Sequence, residues 1–87
     1  METNSKDQIK RLDELKKGQT GIISKLSPDI RTTIRLWSMG IKSGSQIEVM
    51  QTFPSYIIRI KDFYDFAVGR DISTSMLIYN IQKPKSS

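Results

Sequence analysis

The side chains of this sequence that could do chemistry are few, and each also has a structural use. Asp62 and Asp65 stand three apart around a turn, and two carboxylates so spaced could hold a hard cation or work as an acid/base pair. No third ligand lies close in sequence, so the reading adopted is turn formers on a solvated tip. Gly40-x-x-x-Gly44 could be read as a phosphate cradle. No Lys-Ser/Thr pair follows it, however, and the next segment alternates like a strand where a P-loop requires a helix. Phe53, Tyr56, Phe63 and Tyr64 gather near loops, where aromatic rings can form a peptide-docking surface or complete the core. Arg31 and Arg35, four apart, belong to one side of a helix. Arg35 could pair with a carboxylate that ties the helix to a sheet, or both arginines could face a partner.

Composition narrows the chemistry further. The chain has 87 residues, no cysteine and no histidine. That removes disulfides, Cys/His zinc sites and Ser-His or Cys-His nucleophile pairs. The expectation is a protein with no enzymatic activity, no cofactor and no resident metal. No apolar run approaches the roughly 18 residues of a membrane span, and no apolar stretch follows Met1 to Lys6 as in a signal peptide. The chain is therefore read as cytoplasmic. The net charge of +5 is spread out: Lys6, Lys10, Arg11, Lys16 and Lys17 stand against Glu2, Asp7, Asp13 and Glu14, and Lys83 and Lys85 lie in the tail. Phosphate binding needs cations clustered on one face, so a nucleic-acid-binding module is the alternative and not the main reading.

The elements that must position these residues follow from periodicity and punctuation. Residues 1–8 and 83–87 read as mobile polar tails around one domain, residues 9–82. Ile9, Leu12 and Leu15 suggest a short helical turn over Gln8 to Leu15, stopped by Lys16-Lys17-Gly18. Gln19 to Leu26 reads as a strand with a bulge or bend at Gly21. Ser27-Pro28-Asp29 starts a helix, with Ser27 as N-cap. On that helix Ile30, Ile34, Trp37 and Met39 line one side, with Leu36 near its edge, and that side is read as facing the core, with Trp37 plugging it. Gly40 ends the helix in the left-handed region, and Ile41 folds back on its last turn. Gly18, Gly40 and Gly44 are all read as conformational. Strands over Ser45 to Thr52, Tyr56 to Lys61, Phe66 to Gly69 and Met76 to Ile81 complete the chain, with one helical turn at Asp71 to Ser75. The fold expected is mainly β: a small SH3-like barrel of about five strands with one inserted helix.

Several of these residues fall into a pattern. Leu12, Leu15 and Gly18 precede Arg35-Leu36-x-x-Met39-Gly40-Ile41-x-x-Gly44; then come Ile47, Val49, Pro54, the run Ala67-Val68-Gly69-Arg70, and Met76 and Ile78. The pattern resembles that of the FeoA family (ferrous iron transport protein A) over roughly Leu12 to Ile81. Met39 stands where leucine is usual, Ser73 where alanine is usual, and the connection over Asp62 to Asp65 is one residue longer. The resemblance implies an SH3-like fold and a small accessory protein. Its implied partner is the cytoplasmic region of a FeoB-type ferrous iron transporter, a membrane protein with a GTPase domain. The same domain type is appended to DtxR-like iron-dependent repressors. No helix-turn-helix segment precedes it here and the sequence starts at Met1, so a free-standing module is expected.

Overall fold

The computed structural model describes residues 8–60 and 64–84. Its elements are β1 (Lys10–Arg11), a 3-10 turn (Leu12–Glu14), β2 (Thr20–Lys25), α1 (Ile30–Ser38), β3 (Gln46–Gln51), β4 (Tyr56–Ile60), β5 (Asp65–Val68), α2 (Arg70–Ser73) and β6 (Leu77–Gln82). The strands form one antiparallel sheet in the order β1-β6-β2-β3-β4-β5. Its ends, β1 and β5, are not paired with each other among the described residues, so hydrogen bonds do not close the expected barrel. The 3-10 turn and α2 pack together beside that gap.

Period-2 alternation builds the core. Ile47 sits opposite Ile60 and Val49 opposite Ile58, and all four are buried. Arg59, between Ile58 and Ile60, points out and bonds Asp65 on the neighbouring strand at 2.7 Å. Asp65 is thus engaged in a cross-strand ion pair, while Asp62 lies outside the described residues. At Gly21 the register slips as expected, but the extra residue is in β6 opposite it: Thr20 pairs with Gln82 and Ile22 with Tyr79. Asn80 takes up the surplus at φ +56°, a conformation asparagine tolerates better than most residues. Gly21 is required there because a Cβ would run into the Ile78 side chain.

The N-terminal segment departs from expectation. In place of a helical turn over Gln8 to Leu15, Lys10 and Arg11 pair with Ile78 and Leu77 of β6, and only Leu12–Glu14 turns. A helix nucleus is costly in so short a segment, whereas the edge of β6 offers ready partners. Leu12 N–H then donates to Met76 O at 2.9 Å, and Leu12 and Leu15 enter the core while Ile9 stays outside.

Candidate docking surface

Helix α1 begins two residues later than its sequence suggests. Asp29, not Ser27, is the N-cap: its carboxylate accepts the Arg31 N–H and the Thr32 hydroxyl, each at 3.1 Å. Ser27 Oγ accepts the Asp29 N–H at 3.0 Å, and Pro28 remains outside the helix. The helix ends as expected. Gly40, at φ +90°, donates to Trp37 O, and Ile41 N–H reaches back to Leu36 O, both at 2.9 Å. These are the two bonds of a Schellman stop, and its apolar clasp joins Leu36 to Ile41, both buried.

That clasp decides how the helix lies. Leu36 is the one buried residue of α1, with Thr32 and Thr33 half-buried beside it and the Thr33 hydroxyl donating to Ser27 O. The expectation that Ile30, Ile34 and Trp37 face the core is therefore reversed. They are 65%, 55% and 52% exposed, and Trp37 plugs nothing. The three form one row along the outside of the helix at i, i+4 and i+7, with exposed Met39 beyond its end. Arg31 and Arg35 are also exposed, and neither makes an ion pair among the described residues. Arg35 thus does not tie the helix to the sheet. It borders a cleft of 380 Å³ between α1 and β5, lined also by Leu36, Met39, Phe66, Ala67 and Asp71.

The aromatic candidates separate. Phe53, beside the cis Phe53–Pro54 bond, is 83% exposed. It borders a second cleft, of 470 Å³, together with Pro54, Tyr56, Arg70 and Thr74. Tyr64 is half exposed, but its hydroxyl donates to Met39 O at 2.9 Å and its ring stacks obliquely on Phe66 at 4.6 Å. It links the start of β5 to the end of α1. Tyr56 is withdrawn as an anchor. Its ring packs on the core, and its single hydroxyl proton is shared between Asp13 O and Leu15 O. Burial, and after it the Asp13 charge, raises its pKa above the ordinary 10.0. Phe63 lies outside the described residues. Gly18 and Gly44, like Gly40, have positive φ. Gly18 also passes so close to Pro84 that a Cβ would come within 2.8 Å of its ring.

Among the described residues no three carboxylates come together to hold a metal. Nor is any helix among them long and apolar enough to cross a membrane.

The FeoA domain profile matches residues 10–80. No curated protein sequence matches the chain. The crystal structure of an iron uptake regulatory protein (FeoA) superposes with a TM-score of 0.70 at 24% identity, covering 83% of this chain and 96% of that one. A zinc complex of FeoA from Stenotrophomonas maltophilia, described as a prokaryotic SH3 domain protein, gives 0.64 at 16% identity over 79% of this chain and 88% of that one. A manganese-dependent transcriptional repressor gives 0.72 at 18% identity, covering 83% of this chain but only 41% of the repressor. At such identities the structures speak for the fold, which is SH3-like, while the profile spans most of the sequence. The chain belongs to the FeoA domain family, a family associated with ferrous iron transport.

Proposed function

We propose that this protein is a cytoplasmic docking module that binds the cytoplasmic region of a FeoB-type ferrous iron transporter. The observation that carries the reading is the row of Ile30, Ile34 and Trp37, an apolar helix face with no covering partner among the described residues. Family membership supplies the system in which that partner is sought. A module without catalytic groups acts on a transporter only by binding its states with different affinity. Reciprocity then makes the transporter's nucleotide state change the affinity for this chain. A domain of this size offers about 600 to 800 Å² of its own surface, the low end for specific complexes, so affinity on the order of micromolar is expected. Calorimetry against the purified cytoplasmic region, with and without guanine nucleotide, tests this. Binding that differs between nucleotide states supports it, and absence of binding in every state overturns it.

A further inference from the structure

We propose that α1 docks on a partner element carrying an apolar row with a row of carboxylates along one side of it, the pattern of a short acidic amphipathic helix. This rests on the docking reading above and adds the chemistry of the partner surface.

The geometry of α1 carries it. At about 100° per residue, Ile30, Ile34 and Trp37 make one row, and Arg31 and Arg35 a second, roughly a quarter-turn or slightly more around the helix. Leu36 marks the direction of the core, so the outermost line of α1 runs between the two rows. The apolar row is about 10 Å long at 1.5 Å per residue, two turns of helix. A partner approaching α1 therefore meets an apolar row and a basic row side by side.

Among the described residues the basic row is uncompensated. From residue 25 to 42 the chain carries Lys25, Arg31, Arg35 and Lys42 against a single carboxylate, Asp29. That carboxylate is already engaged by the Arg31 N–H and the Thr32 hydroxyl. Arg11 and Arg59, by contrast, hold carboxylates of their own at 2.9 and 2.7 Å. Asp71 borders the cleft beside Arg35 without pairing with it. Guanidinium groups so placed are ready for bidentate carboxylate partners.

Two other occupants fit less well. A bilayer is best met by an apolar row at the outermost line with cations on both flanks. Here the outermost line falls between the rows, so a flat surface would engage apolar and basic rows equally. A second copy, paired antiparallel about a two-fold axis on the apolar row, would bring its arginines beside those of the first, and like charges repel.

The test uses the full chain and the purified cytoplasmic region of the transporter, titrated calorimetrically from about 50 to about 500 mM salt, where screening of exposed charges grows strongly. All substituted residues are exposed, and thermal melts serve as the folding control. Ile34→Ser with Trp37→Ala should weaken binding about tenfold or more. Arg31→Glu with Arg35→Glu should weaken it about tenfold at low salt and flatten or invert its salt dependence. Phe53→Ala should change affinity less than about twofold. If the apolar pair matters but the arginine pair changes neither affinity nor salt slope, the acidic partner is wrong while docking by α1 stands. Failure of the wild-type chain to bind in any nucleotide state removes the docking reading and this inference with it. Retention on phosphatidylserine vesicles that needs Trp37 and both arginines, without transporter binding, identifies a lipid surface in place of a protein. A dimer of the free chain that Ile34→Ser with Trp37→Ala dissociates identifies a second copy.

Discussion

Gly40 shows how much one residue can determine. It holds φ +90° between two bonds that end α1, and an added Cβ would also come within 3.2 Å of the Tyr64 hydroxyl oxygen. Gly40→Ala should therefore cost about 1 kcal/mol or more, read as a lowered denaturant midpoint at unchanged slope. Tyr56 makes a prediction about pH. The fold favours its neutral phenol, so this residue contributes its full stability below about pH 10 and loses it as pH rises through the raised folded value. Tyr56→Phe should cost about 1 kcal/mol at neutral pH. It should also make the alkaline loss of stability shallower than in wild type, and equal alkaline slopes would show that the phenol is not held neutral. Glycine roles were legible in sequence, because positive φ selects for residue type. Tyr56 was not: whether an aromatic ring near a loop faces solvent depends on the distant 3-10 turn, 41 and 43 residues away in sequence, that takes its hydroxyl.

At the scale of elements, α1 separates amphipathicity from burial. Its apolar stripe suggested an inward face, yet the Schellman clasp of Leu36 and Ile41 turns that stripe outward. Leu36→Ala should cost about 2 to 5 kcal/mol. Trp37→Ala should stay within about 0.5 kcal/mol of wild type. A large loss at Trp37, measured by chemical denaturation, would mean that the indole supports the fold. The presence of the helix and its glycine end could be read from sequence, but its rotation could not, since periodicity names a stripe without naming what covers it. The Asp29 cap was one such near miss: serine, proline and aspartate all suit a helix start, and only the backbone decides among them. The β6 bulge at Asn80 left a weaker trace, a break in alternation between Ile78 and Ile81.

For the whole molecule, strand order and core follow from alternating segments whose inward residues pair in register, as Ile47 with Ile60. That β1 and β5 stay unpaired with each other among the described residues could not be foreseen, because closure depends on a few residues at the edges. Two of the loop candidates, Asp62 and Phe63, lie outside the described residues. With no histidine or cysteine in the chain and no carboxylate cluster among the described residues, the isolated protein should not bind Fe(II) tightly. Anaerobic calorimetry at micromolar concentrations checks this, and stoichiometric binding would expose an overlooked carboxylate site.

The outward indole has a spectroscopic consequence. Trp37 is the only tryptophan of the protein and already meets solvent in the native state. Its fluorescence is thus a poor gauge of unfolding, since denaturant moves it from one wet environment to another. The same emission becomes a label-free optical probe of complex formation. A blue shift and loss of acrylamide quenching on mixing would report that the proposed docking face has been covered, without any dye near the interface.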